Sequence, residues 1–311
     1  MTTALYTHAE CLNHRTPAGH PEQVARLEYI NDALSAGMFD ALDRREAPLC
    51  EDADILLCHP QSHLDTILAS EPETGSRALD ADTHMSPGSV LAARRAVGGC
   101  IAAVDAVLSG EVGNAFVACR PPGHHAEQST PMGFCLFGNA AIAAKHSIER
   151  HGLERVAIVD FDVHHGNGTQ ALLWNEARAL FFSSHQNPLW PGTGMPEETG
   201  GHNNVHNLPL PPHSDGRLMR ATYEAQVFPV IERFKPQLLI ISAGFDAHMA
   251  DPLAQLNWAT DDFVWLTEKL CDLAEEHCEG RVVSTLEGGY DLSALAASVA
   301  AHVSVLMEKT A

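Results

Sequence analysis

The chain has 311 residues, 45% of them apolar, and a formal net charge of −21. Such a composition supports a substantial core and excludes extended disorder. With 40 acidic side chains against 19 basic ones and only four lysines (Lys145, Lys235, Lys269 and Lys309), the chain lacks the basic surface that nucleic-acid backbones require. The same field would attract a cationic substrate, although a surface built for solubility carries the same charge. The eight cysteines form no C-x-x-C pair and read as reduced thiols of a cytoplasmic protein. The N-terminus has neither the basic start nor the apolar stretch of a secretory signal, and no run of about 18 apolar residues predicts a membrane span. No repeat, linker or low-complexity tract divides the chain, so it reads as one domain, 1–311.

Taken in order, the first segment carries His14, Arg15 and His20, then Pro21-Glu22, which predict a helical first turn followed by Val24, Leu27, Ile30 and Leu34 on one face. His14 reads equally well as a surface histidine. Residues 50–66 suit a helix or a short strand, and 71–89 a long polar loop. Residues 90–109 predict an amphipathic, Ala-rich helix. An apolar strand, 115–119, then runs into Arg120-Pro121-Pro122-Gly123-His124-His125, where a turn could aim both imidazoles into one cavity. A helix over 140–150 follows.

The stretch Val156–Gly168, VAIVDFDVHHGNG, is the most informative. Its apolar first half suits a strand buried on both faces of a parallel sheet. It ends in Asp160, Asp162 and His164, ionisable groups at every second position, which in extended chain lie on one side. Three such groups leaving a buried strand together are costly unless a cation binds them, and carboxylate plus imidazole suits zinc and similar divalent ions. A turn capped by these side chains is the alternative. Beyond it the pattern predicts a helix over 171–177, a strand over 179–183 ending near Ser184-His185, loop through Trp190 and over 195–207, a helix over 214–234, and a strand over 237–242 leading to Asp246. A helix over 262–276, a strand over 282–286 leading to Tyr290, and a helix over 294–309 complete the chain. The repeated strand, loop, helix order implies an α/β fold with a parallel sheet and helices on both faces, whose ligands bind beyond the carboxyl ends of the strands. Five strand ends there carry polar or titratable groups.

The motifs RPPGHHAEQSTPMGFCLFGNAAI, VDFDVHHGNGTQ, SAGFDAH and LEGGYD, with HPEQVARL near the start, resemble the zinc-dependent histone deacetylase family, closest to its class II and bacterial amidohydrolase branch. The resemblance covers nearly the whole chain. It implies the arginase/deacetylase α/β fold with a central eight-stranded parallel sheet. It implies Asp162, His164 and Asp246 as zinc ligands, His125 as general base and then acid, His124 as its electrostatic partner, and Asp160 as the group orienting His124. Asn167 stands where another branch has an aspartate and implies a less basic His125. Tyr290 corresponds to the hydroxyl donor that meets the oxyanion, where some class II members carry His. The resemblance further implies a potassium ion held by Asp160, Asp162, His164, Ser183 and Ser184. Phe134 and Trp190 correspond to the two tunnel walls, Trp190 replacing the more usual Phe or Tyr. Gly133, Leu253 and Gly289 would line the substrate path, and Arg26 resembles an arginine lining an internal channel.

The implied substrate is acylated lysine in a protein or peptide, since Leu253 stands where polyamine-specific relatives can carry an acidic gatekeeper; an acylated polyamine is the alternative. A binuclear manganese ureohydrolase shares the fold but not the DxDxH pattern. A non-catalytic acyl-lysine binder would lack the base or Tyr290. A homo-oligomer is compatible with the sequence.

Overall fold

The computed structural model describes residues 1–310. In chain order the strands are β1 (Thr3–Thr7), β2 (Asp43–Glu46), β3 (Arg77–Ala78), β4 (His84–Met85), β5 (Asn114–Val117), β6 (Val156–Asp160), β7 (Ala179–Gln186), β8 (Val205–Leu210), β9 (Leu238–Ala243) and β10 (Val282–Leu286). The α-helices are α1 (Ala25–Ala33), α2 (Asp52–Ile55), α3 (Gln61–Ser70), α4 (Ser89–Leu108), α5 (Asn139–His151), α6 (Asn167–Leu173), α7 (Gly216–Thr222), α8 (Phe228–Phe234), α9 (Thr260–Cys278) and α10 (Leu292–Glu308).

Eight strands form one sheet in the order β2-β1-β5-β10-β9-β6-β7-β8, parallel throughout. The central strands β5, β6, β9 and β10 are buried at every residue, as expected where helices cover both faces. Strand β10 shows the two layers directly: Ser284 Oγ bonds His302 of α10, while its neighbour Thr285 receives the Cys100 thiol of α4. Alternate side chains of one strand thus enter opposite helical layers. On the α10 side, His302 packs edge-on against Phe116, Phe161 and Phe245.

Several expected boundaries shift, each for a local reason. Strand β2 (Asp-Arg-Arg-Glu) is charged and alternates in exposure, the property of an edge strand that resists further pairing and the reason a hydrophobic pattern misses it. Strand β8 forms the other edge inside the segment expected to be loop, and tolerates Pro209 because an edge residue has no obligatory ladder partner. Strand β1 also escapes the pattern, while the polar loop at 71–89 contains the short antiparallel pair β3–β4. Helix α1 begins at Ala25 rather than at Pro21, because Glu22 is withdrawn into the interior as an ion-pair partner. Helix α6 begins at Asn167, not 171: the Gly168 and Thr169 amides donate to the His124 carbonyl, and a Cβ on Gly168 would strike the backbone of His125 and Ala126. The helix expected over 214–234 widens into a π segment at Tyr223–Val227, since Pro229, at the start of α8, supplies no amide and crowds the preceding turn.

Beneath the carboxyl end of β5 lies a fully buried ionic knot. Arg120 grips the Glu22 carboxylate through Nε and Nη2, Arg26 Nη1 donates to it at 3.2 Å, and His14 Nε2 lies 3.5 Å away. His14 is therefore an interior group, not a surface one. Burial alone would raise the Glu22 pKa, but Arg120 and His14 hold it well below the usual carboxylate range. Removing one member of such a buried set strands the others' charge. Glu22→Ala should therefore cost on the order of 3–5 kcal/mol, seen as a lowered denaturant midpoint; an unchanged midpoint would show that the knot contributes nothing net.

Candidate active site

Strand β6 ends at Asp160, so the alternation expected of extended chain does not continue through Asp162 and His164. Two side-chain-to-backbone turns replace it: Asp160 Oδ1 accepts the Asp162 amide at 3.1 Å, and Asp162 Oδ1 accepts the His164 amide at 2.9 Å. These turns fold the three residues over the sheet edge. Asp246, beyond β9, meets them there and is tied in by the Val163 amide at 2.8 Å. His164 Nδ1 lies 3.2 Å from Asp162 Oδ1 and 3.1 Å from Asp246 Oδ2. Ligand atoms of Asp162, His164 and Asp246 all lie within 4.8 Å of one another, and all three residues are buried. The backbone is shaped to them, for a Cβ on Gly244 or Gly288 would collide with the Asp162 carboxylate, while the Gly288 amide donates to Asp162 Oδ2 at 2.8 Å.

The electrostatics favour a cation at this point. Burial and the neighbouring Asp162 raise Asp160 and Asp246 to about 7. Burial opposes the charge of His164, yet the Asp162 and Asp246 carboxylates lift it to about 10. The pocket thus holds a proton on His164 where a divalent ion would compete for the same nitrogen and oxygens. Two carboxylates and one imidazole form a donor set that fits zinc, and His164 also lines the open cavity.

The tandem histidines receive different backing. His124 Nδ1 is 2.9 Å from Asp160 Oδ2, and its Nε2 is 3.7 Å from Asp162 Oδ2. Burial works against its charge, but Asp162 and Asp160 raise its pKa well above the ordinary value. His125 Nδ1 instead meets the uncharged Asn167 Oδ1 at 2.8 Å. Burial and its neighbours His124 and His164 push His125 well below the ordinary value, leaving it neutral. Asn167 is held in turn by Glu127 Oε1 at 2.8 Å.

A cavity of about 310 Å³ opens above this cluster, lined among others by His125, Phe134, His164, Trp190, Leu253 and Tyr290. Trp190 stands edge-on to His125 with ring centroids 4.7 Å apart, and Phe134 faces Tyr290 at 5.8 Å. Gly133 sits at φ +55°, and a Cβ there would press into both the His125 and Trp190 rings. Phe134 holds a left-handed φ of 70°, with its amide bonded to Thr83 Oγ1 at 3.1 Å and its ring against His20. The Tyr290 amide donates to Asp251 Oδ2 at 2.7 Å, and Asp251 Oδ1 accepts the Leu253 amide at 3.0 Å. One buried carboxylate thereby sets both. Gly289, at φ +119°, offers its carbonyl to Arg26 Nε at 2.7 Å, and Arg26 lies 5.0 Å from the Tyr290 ring centroid.

Ser183 pairs in register with Asp160 across β6 and β7, while the Ser184 hydroxyl bonds Tyr223 at 2.7 Å. His185 does not enter the ligand cluster. It bonds Ser183 Oγ and the Gly194 carbonyl, while His165 bonds Thr193 Oγ1 and Gln170. Glu198 accepts from Gln170 and from the Gly194 and Met195 amides. This network anchors the loop carrying Trp190; His185, expected among the polar groups converging on the site, serves as a loop anchor there. Sequence reasoning overlooked Glu287, whose Oε2 accepts the Gly123 and His124 amides at 2.7 and 3.1 Å and whose Oε1 takes the Ser242 hydroxyl at 2.8 Å. The available signal was a carboxylate at the end of an apolar strand, as in Asp160.

Comparison with known proteins agrees with this arrangement. The family described as "Histone deacetylase domain" matches residues 20–306. A probable deacetylase of Archaeoglobus fulgidus is 40% identical over 94% of this chain and 82% of its own. A histone deacetylase-like amidohydrolase of Pseudomonas aeruginosa is 41% identical over 88% of this chain and 73% of its own. The crystal structure of the HDA15 HD domain superposes with a TM-score of 0.93 at 31% identity, covering 99% of this chain and 89% of that one. The sheet and its helices are accordingly the arginase/deacetylase α/β fold, and the chain belongs to the histone deacetylase family of hydrolases.

Proposed function

We propose that this deacetylase is a zinc-dependent amidohydrolase that removes acetyl groups from lysine side chains, the chain acting as one catalytic domain. The observation that carries the reading is a division of labour at the tunnel floor. A buried three-ligand cluster faces the cavity beside one carboxylate-backed histidine, one neutral histidine and one protonated tyrosine. Asp162, His164 and Asp246 would hold zinc, which when bound activates water by lowering its pKa to about 7 and polarises the amide carbonyl. His125, kept neutral, takes a proton from the attacking water and returns it to the leaving lysine amine. His124, kept charged by Asp160 and Asp162, stabilises negative charge beside it. Burial first, then Asp246, raises the Tyr290 pKa well above the ordinary value despite Arg26. Its hydroxyl therefore stays protonated and donates to the developing oxyanion. The register of Asp160 with Ser183 supports potassium beside the zinc, held by Asp160, Asp162, His164, Ser183 and Ser184.

The walls support acyl-lysine as substrate. Phe134, Trp190 and Leu253 present apolar surface to the aliphatic stem, and the one carboxylate lining the mouth is Asp82. The free amine of an acylpolyamine would bring a full positive charge to this largely apolar passage, where Asp82 is the carboxylate that could meet it. The compartment in which the protein works is, in our reading, the cytoplasm; no helix among the described residues is long and apolar enough to cross a membrane.

Tyr290→Phe should keep its metal and lose roughly 10²–10³-fold in kcat, the cost of one oxyanion donor; wild-type turnover would remove Tyr290 from the mechanism. Asp246→Ala should lose zinc and activity together, and stoichiometric zinc with full activity would show that the ligands lie elsewhere. In a side-by-side assay an acetyl-lysine peptide should give the higher kcat/KM over N-acetylputrescine; the reverse order would make the protein a polyamine amidohydrolase.

A further inference from the structure

A second convergence of metal-ligating side chains lies outside this site. Asp105 on α4 projects between His146 and His151 of α5. The Nε2 atoms of both imidazoles reach the same carboxylate oxygen, Asp105 Oδ1, each at 2.7 Å. The three ligand atoms lie within 4.8 Å of one another, and the two rings are 5.3 Å apart. The cluster is anchored on one side and open on the other: the His146 side chain is 10% exposed, those of His151 and Asp105 31% and 51%. Helices α4 and α5 pack directly on each other, so the backbones that present the ligands are fixed, while the two outer side chains can adjust.

We propose that Asp105, His146 and His151 form a second, solvent-facing site for a divalent transition ion of the zinc class, separate from the catalytic cluster. Two imidazoles and a carboxylate are the donor set of such ions, and three protein ligands leave a fourth position to water on the open side. A tetrahedral ion at ordinary ligand distances of about 2.0–2.2 Å needs the two Nε2–Oδ1 contacts, now 2.7 Å, to open by roughly half an ångström or more. Rotation of the exposed Asp105 and His151 side chains supplies that. Coordination through Nε2 requires the ring proton on Nδ1. His146 Nδ1 makes no hydrogen bond, so no partner there fixes the tautomer and the occupant of Nε2 decides it.

The position determines what the ion can do. Helix α5 ends at His151 immediately before β6, and Asp105 lies in the last turns of α4 before β5. The cluster therefore sits at the amino ends of the strands, and the catalytic groups at their carboxyl ends, a strand's length of roughly 13 Å or more away. An ion here contacts no substrate. It staples α4 to α5, so its signature is metal uptake and thermal stability, not turnover.

The test is zinc titration of the holoenzyme, its catalytic ion already in place, followed by calorimetry and metal analysis. Wild type should take up one further equivalent at micromolar zinc and melt at a higher temperature. Asp105→Asn and His151→Gln, both at exposed positions, should weaken that uptake at least tenfold and abolish the thermal shift, while keeping the catalytic equivalent and wild-type kcat/KM. No further equivalent in wild type, or undiminished uptake in both variants, would overturn the site and leave the cluster a hydrogen-bonded clasp between two helices.

Discussion

The meeting of Asp162, His164 and Asp246 at the carboxyl edge of the sheet is the constraint to which the surrounding structure answers. Four carboxylates, those of Asp160, Asp162, Asp246 and Glu287, are buried there together. Repulsion and lost hydration would drive such a group apart or neutralise it. The chain offsets this with donors at close quarters: the amides of Asp162, Val163, His164 and Gly288, the Gly123–His124 backbone, the Ser242 hydroxyl and the His124 ring. Beside these donors, Asp162, His164 and Asp246 bring ligand atoms within 4.8 Å of one another, a donor set suited to a divalent cation.

The same arrangement gives two neighbouring histidines opposite characters. Their rings are 3.9 Å apart, yet His124 is backed by Asp160 and His125 by Asn167. Asp162 and Asp160 raise the first, while burial and the neighbouring His124 and His164 lower the second, whose backing amide supplies no compensating charge. A charged and a neutral imidazole are thus set side by side within one dipeptide by environment. Around them, rigidity comes from groups set behind the cavity lining: Asp251 holds Tyr290 and Leu253, and Glu198, His165 and His185 hold the Trp190 loop.

Most of the candidate catalytic cluster was legible because its residues punctuate apolar strands. A hydrophobic run ending in Asp-x-Asp-x-His has few structural uses, and the companion motifs after β5, β9 and β10 occupy the equivalent place. The supporting groups were not legible for the same reason reversed. Glu22, Glu287 and Asp251 look like ordinary surface acids until the fold buries them. The histidines His165 and His185 carry no spacing that separates a loop anchor from a ligand. Edge strand β2 lacked the apolar signature because its residues are at most half-buried, and β8 because His206, Asn207 and Pro209 interrupt its apolar residues.

By itself the sequence determined the succession along the chain of the central strands and their helices, the parallel arrangement that succession implies and the titratable groups at the strand ends, since hydrophobic period and residue type are local properties. The tertiary structure alone decided where helices α1 and α6 begin, that Glu22, Asp251 and Glu287 are interior, and which groups surround the two imidazoles whose difference Asp160 and Asn167 already implied. Those outcomes depend on burial and on partners tens to hundreds of residues away, such as Glu22 with Arg120 and His124 with Asp160 and Glu287, and distances of that kind are set only when the chain closes on itself.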